Sequence, residues 1–162
     1  MAEKPVISNT SPLIGLSGLN LLSLLRDLYT EVWIPREVEN EFLAIDETIH
    51  REVLNNAPWI KTVNLTNPET PPNNSKLDYG EAAVFALAEE HGAHLVIIDE
   101  QLARQEAKKI GLPMKGTVGV LLEAKEKGLI DIIKPLLFAL QENGMYLGDS
   151  VIADTLSEAG ET

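Results

Sequence analysis

The chain has 162 residues, of which 44% are hydrophobic and 23% are charged, and this predicts a single globular domain over residues 1–162. The absence of cysteine excludes disulfides, thiolate metal sites and a cysteine nucleophile. A formal net charge of −12 argues against a protein whose whole surface binds nucleic acid, because such surfaces are basic. The N-terminal Met-Ala-Glu-Lys-Pro is not typical of a signal peptide, and the apolar runs are too short to span a membrane. We therefore expect a cytoplasmic protein.

The first part of the chain predicts two short strands, each followed by a helix. Residues 6–8 predict the first strand, and Ser11 and Pro12 suit the N-cap and first residue of the next helix. Residues 31–34 predict the second strand, and Pro35 opens the helix after it.

The helix that starts at Pro35 is predicted to be long. Its apolar spacing continues through Ile45 and Ile49 to Leu54. A third strand follows at 59–65, and the proline- and asparagine-rich residues 66–76 predict a loop.

Residues 77–99 predict one helix, a glycine stop and one buried strand. Asp78 suits the N-cap of this helix and Gly92 suits its end. Residues 95–98 are apolar without alternation, as expected for a parallel strand covered on both faces. Asp99 follows at the carboxyl end of that strand, where open α/β sheets bind ligands.

The remaining sequence continues the alternation of helix and strand. Helices are predicted at 100–110, 117–127, 130–142 and 149–158, with a short strand at 112–115. This order predicts an α/β fold, with a central parallel sheet between helix layers. No glycine-rich nucleotide motif is present, so we expect no nucleotide cofactor.

Four oxygen-bearing side chains are predicted to meet at one edge of the sheet. Asn9 and Asp99 end two strands, and Glu41 and Glu81 lie on helices that can lean over the same edge. Three carboxylates crowded together need a cation, and Mg²⁺ or Mn²⁺ bound there would suit phosphodiester hydrolysis. Structural roles are the alternative: Asp78 and Glu81 have capping-box spacing, and Asp99 can cap the helix that follows it.

Five short motifs make the sequence recognisable. They are Val-Ile-Ser-Asn-Thr-Ser-Pro-Leu-Ile at 6–14, Ile-Pro-x-x-Val at 34–38, Asp-x-Gly-Glu-Ala at 78–82, Ile-Ile-Asp-Glu-x-x-Ala-Arg at 97–104 and Gly-Thr-x-Gly-Val-Leu at 116–121. With them the chain resembles the PIN-domain superfamily, the fold of VapC-type toxin ribonucleases. It most closely resembles the prokaryotic DUF3368 family, from about Val6 to Gly160.

The resemblance implies a three-layer α/β/α fold with four site residues. The family's acidic positions fall on Asn9, Glu41, Glu81 and Asp99, and the first is a departure because aspartate is usual there. An amide still offers one oxygen to a metal but brings no charge. On this basis Asn9→Asp is expected to strengthen metal binding.

Our leading hypothesis is a PIN-like endoribonuclease that depends on Mg²⁺ or Mn²⁺. It would be the toxin of a toxin–antitoxin pair, with an antitoxin protein as partner. Metal binding and catalysis would fall to Glu41, Glu81, Asp99 and Asn9. Residues 104–134 hold seven basic and four acidic side chains, a local excess of +3 that could face RNA. The predicted RNA contacts are Ser11, Arg104, Lys108 and Lys115.

Two alternatives stay open at this point. One is a catalytically weakened or inactive PIN-like module that binds nucleic acid or protein, because Asn9 replaces the usual aspartate. The other is a phosphatase-like or unrelated α/β protein, although the chain lacks the Asp-x-Asp nucleophile arrangement. The resemblance also implies a homodimer, and the last helix offers Val151, Ile152 and Leu156 for it.

Overall fold

The computed structural model describes residues 4–67 and 78–162 of the chain. Within them a central sheet is formed by five strands. The strands are β1 (Val6–Ser8), β2 (Val32–Pro35), β3 (Ile60–Val63), β4 (Leu95–Ile97) and β5 (Met114–Lys115). The nine helices of these residues are α1 (Thr10–Gly18), α2 (Ser23–Tyr29), α3 (Arg36–Ile45), α4 (Glu47–Asn55), α5 (Tyr79–His91), α6 (Gln101–Lys109), α7 (Thr117–Glu126), α8 (Lys134–Glu142) and α9 (Asp149–Ala159).

The sheet is parallel throughout and has the strand order β3-β2-β1-β4-β5. Ile7 in β1 pairs with Trp33 on one side and with Val96 on the other, which makes β1 the central strand. Consecutive residues of β1 and β4 are buried, as expected when helices cover both faces. The predicted three-layer α/β/α fold is confirmed.

This topology determines where the site residues lie. All five strands point the same way, so β1 and β4 end side by side, and the chain leaves them at Asn9 and Asp99. Helix α3 contacts both α1 and α5. The buried Val38 and Phe42 anchor α3 in the core, and this brings Glu41 towards the same edge.

Three predicted helix boundaries are wrong. Helix α1 begins at Thr10 with Asn9 as its N-cap residue, rather than with Ser11. The helix predicted from Pro35 to Leu54 is two helices, because Asp46 accepts a hydrogen bond from the Ile49 amide and starts α4. Helix α8 begins at Lys134, four residues after the predicted start at 130.

Two further predictions concern loops and membranes. Most of the predicted 66–76 loop, from residue 68 onwards, lies outside the described residues. None of the helices that the structure describes has the length and apolarity needed to cross a bilayer.

Candidate metal-dependent active site

Asn9 lies buried where β1 passes into α1, with only 3% of its surface exposed. It occupies the N-cap position, but its side chain makes no capping bond. Instead, its Nδ2 donates a hydrogen bond to Glu100 Oε2 at 3.2 Å. Its Oδ1 is buried and has no hydrogen-bond partner among the described residues. A buried amide oxygen without a partner is costly, so it marks a place where a ligand would be stabilising.

Glu41 reaches the site from α3. Thr10 Oγ1 donates to Glu41 Oε2 at 3.3 Å, and Glu41 Oε1 is buried against the backbone of Gly80, whose amide interacts with this carboxylate. Burial raises the pKa of Glu41, the nearby Asp78 carboxylate raises it further, and the Thr10 bond opposes them. A Cβ at position 80 would overlap Glu41 Oε1, so Gly80 provides the space for this carboxylate.

Glu81 lies in the first turn of α5 and is only 6% exposed. Its backbone amide donates to Asp78 Oδ1 at 2.8 Å, and its Oε1 accepts from the Asp78 amide at 3.2 Å. The predicted capping box is therefore confirmed. Burial raises the pKa of Glu81 to about 7, and the carboxylates of Asp78, Glu100 and Glu41 contribute in the same direction. Capping α5 and binding a metal are compatible roles for Glu81, because the capping bond fixes the position of its carboxylate among the neighbouring acids.

Asp99 caps a helix, but a different helix from the one predicted. Its Oδ1 accepts from the Thr117 amide and its Oδ2 from the Thr117 hydroxyl, both at 2.7 Å. It thus caps α7 rather than α6, the helix that follows it directly. Burial raises the pKa of Asp99, and the two Thr117 bonds oppose that rise. Each carboxylate oxygen keeps a second lone pair, so these bonds orient Asp99 without excluding it as a metal ligand.

Glu100 lies at this acidic edge and was not among the candidate site residues predicted from the sequence. It accepts from Ser11 Oγ at 2.6 Å as well as from Asn9 Nδ2 at 3.2 Å. Its charge raises the pKa of Glu41, Glu81 and Asp99. The available signal was its position directly after Asp99, at the same carboxyl edge of the sheet.

The donor set fits a hard divalent cation in its chemistry. Carboxylate and amide oxygens are the ligands that Mg²⁺ and Mn²⁺ prefer, and Asn9 Oδ1 is buried with no partner in the part of the chain that the structure describes. Across residues 4–67 and 78–162, however, no three acidic or histidine side chains already form a metal-binding group.

The four predicted RNA contacts differ in whether their polar groups are free to meet RNA. Arg104 and Lys108 are exposed and line a groove that reaches Asp99. Lys115 is paired with Glu123 at 2.9 Å, and the Ser11 hydroxyl is bound to Glu100. Tyr146, which the sequence prediction did not include, is 91% exposed. It lines this groove and a second one that contains Ser11, Asp99 and Glu100.

A parallel α/β/α sandwich with acidic residues along the ends of its central strands has a nuclease-type, PIN-like architecture. The comparison with protein families agrees, because the model described as "DUF3368: PIN domain" matches residues 5–161. The chain belongs to this family. PIN domains generally use divalent metals. Comparison with curated proteins gives no match.

Proposed function

We propose that the protein is an endoribonuclease that hydrolyses RNA phosphodiester bonds with Mg²⁺ or Mn²⁺, and that it acts as the toxin of a toxin–antitoxin pair. One observation carries the proposal. Asn9 Oδ1 is buried without a partner among the described residues, at the strand-end edge where Glu41 and Glu81 are both crowded by other acids. An edge of this kind is stabilised by a hard cation.

Glu41, Glu81, Asp99 and Asn9 Oδ1 are the proposed metal ligands. When bound, the ion supplies a water of lowered pKa and stabilises negative charge on the phosphate. The chain provides the orientation: the Thr10 hydroxyl donates to Glu41, the Asp78 amide donates to Glu81, and Thr117 donates to Asp99. These are the outer hydrogen bonds that ligating carboxylates need.

The RNA strand is proposed to follow the groove next to Asp99. Arg104 and Lys108 would meet phosphates, and the exposed ring of Tyr146 would stack on a base. This combination of cations and an aromatic platform suits a single strand. It also confines the RNA contact to one strip of an otherwise acidic protein.

The test is cleavage of a panel of single-stranded and structured RNAs. We expect wild-type cleavage that requires Mg²⁺ or Mn²⁺, stops with a chelator and is lost in Glu41→Gln and Asp99→Asn. Glu89→Gln is the matched control, because Glu89 is an exposed acid of α5 that lies away from these residues, in a pocket with His94 and Gly111. Cleavage that survives Glu41→Gln or persists without metal would contradict the proposal.

A second function, a non-catalytic binding module, has its own support. Asn9 lacks the charge of an aspartate, and the described residues contain no ready-made group of three metal-binding acids. If wild type cleaves no RNA but binds it, and Arg104→Ala weakens that binding, the module is the better description.

The protein partners are proposed on the family resemblance. Three apolar residues of α9 were expected to form a dimer interface. Ile152 and Leu156 pack against the core of the same chain, whereas Val151 is 45% exposed and is available for a partner. A dimer through α9 would therefore have to depend on Val151 and its neighbours. Light scattering at a concentration of tens of micromolar, well above a micromolar affinity, would reveal a homodimer, and a monomer mass would contradict it.

A further inference from the structure

Glu100 is held in place by the turn that carries Asn9. The turn after β1 sends two donors to it, Asn9 Nδ2 at 3.2 Å and Ser11 Oγ at 2.6 Å, one to each carboxylate oxygen. Because the amide of Asn9 uses its nitrogen for this bond, its oxygen is left as the free atom. That oxygen is buried and, among the described residues, has no partner. The bond therefore orients the carbonyl end of Asn9 as well as the carboxylate of Glu100.

The charges of the two residues are complementary. A neutral amide at position 9 and a carboxylate at position 100 carry one negative charge together. An aspartate at position 9 beside a neutral amide at position 100 would carry the same charge. The hydrogen bond between the two residues would survive that exchange, with its direction reversed.

We infer that Asn9 and Glu100 form one compensated pair in the cation site, in which Glu100 supplies the negative charge that Asn9 lacks. Glu100 is then a further ligand for a divalent cation. Asn9 is a positioning residue for Glu100 and offers its Oδ1 to the same ion. This inference rests on the proposed metal-dependent function.

The pair changes what is expected of Asn9→Asp. On the sequence alone this substitution adds a useful charge. In the structure it replaces the donor to Glu100 by a second carboxylate oxygen near 3.2 Å from the first. Two like charges at that distance repel, and a hydrogen bond is lost. The single substitution should therefore lower the melting temperature of the metal-free protein, and adding Glu100→Gln should restore it.

The test uses the full chain with Mn²⁺ as the probe, in isothermal titration calorimetry and in thermal melts with and without the metal. Four proteins form the cycle: wild type, Asn9→Asp, Glu100→Gln and the double variant. We expect Glu100→Gln to weaken Mn²⁺ binding at least ten-fold, and the double variant to return within about three-fold of wild type. Glu89→Gln is the control for the loss of one negative charge, because Glu89 is an exposed acid of α5 outside the proposed site.

Two results would overturn the inference: Mn²⁺ binding in Glu100→Gln equal to that of wild type, or a double variant as weak as Glu100→Gln alone. Glu41→Gln separates this failure from failure of the proposed function. If Glu41→Gln loses Mn²⁺ binding while Glu100→Gln does not, the metal site stands and the compensated pair is wrong. If wild type binds no Mn²⁺ at all, both are wrong.

Discussion

Glu81→Gln tests whether the acidic edge is destabilising without a metal. The substitution removes the charge of a buried carboxyl whose pKa is raised to about 7 by burial and by Asp78, Glu100 and Glu41. It keeps the capping box, because glutamine at this position can also accept from the Asp78 amide. We therefore expect the metal-free variant to be more stable than wild type at pH 8 and to bind Mn²⁺ more weakly.

The direction of the pH dependence follows from linkage. The folded state holds the Glu81 proton more tightly than the unfolded chain, where the ordinary pKa is 4.5. The resulting stabilisation is complete below pH 4.5 and is lost as the pH rises through about 7. Glu41 and Asp99 also have raised pKa values and act in the same direction. The variant should therefore reduce the slope of stability against pH without removing it.

The magnitude follows from the same shift. A carboxyl pKa raised from 4.5 to about 7 corresponds to at most about 3 kcal/mol at high pH. Glu81 is buried, but Asp78 is exposed and Glu41 and Glu100 are only partly buried, so solvent screens their charges and we expect about 1–2 kcal/mol. For a domain of this size that is an increase of about 2–8 °C in melting temperature at pH 8.

The assay is denaturant unfolding at pH 5, 6, 7 and 8 in the presence of a chelator. At pH 5 the two proteins should differ little, because Glu81 is then protonated in the folded state. Glu89→Gln, in the same helix but exposed, should follow wild type throughout. Parallel curves for wild type and Glu81→Gln, or a variant that is less stable at pH 8, would refute the reasoning.

Three other substitutions have distinct expected outcomes. Gly80→Ala places a methyl group where Glu41 Oε1 lies, so Mn²⁺ affinity should fall at least ten-fold in calorimetry while the melting temperature changes little; unchanged affinity would contradict the geometry. Tyr146→Ala should weaken single-stranded RNA binding by about 1–3 kcal/mol, and Tyr146→Phe should not, if the exposed ring stacks on a base. Arg104→Ala should reduce the slope of log affinity against log salt by about 0.7, whereas Lys61→Ala, at an exposed lysine of β3 that does not line the groove, should leave that slope unchanged.

The sequence predicts well which residues meet at the carboxyl ends of the strands, because their meeting follows from the parallel direction of the strands. Val6–Ser8 and Leu95–Ile97 are short buried strands, and parallel neighbours must end together. The residues that follow them therefore meet regardless of the loops between. Glu81 was also predictable, because a capping box is a local pattern of four residues. The break at Asp46 was harder to predict, since one side-chain cap overrides an apolar spacing that continues past it.

The partners of the acids could not be predicted, because they depend on side-chain direction across the fold. Asp99 bonds to Thr117, which lies 18 residues further along the chain, and Glu100 bonds to Ser11, which is 89 residues away. Adjacent residues at a strand end point in different directions, so neither partner follows from sequence spacing. The structure thus adds Glu100 to the candidate site and gives Asp99 a capping role.

A structural role for these acids does not compete with a chemical one. A carboxylate held by donors has fewer orientations available, so less freedom is lost when it binds a cation. Asp78 and Thr117 provide such donors to Glu81 and Asp99 through contacts that also begin α5 and α7. An alanine substitution at Glu81 or Asp99 would remove the cap together with the charge, and its effect could not be assigned to either. An amide substitution removes the charge and retains one oxygen for the cap, and at position 99 the Thr117 hydroxyl can accept from the new NH₂ group instead of donating. A loss of Mn²⁺ binding in a protein that remains stable would therefore identify the metal role.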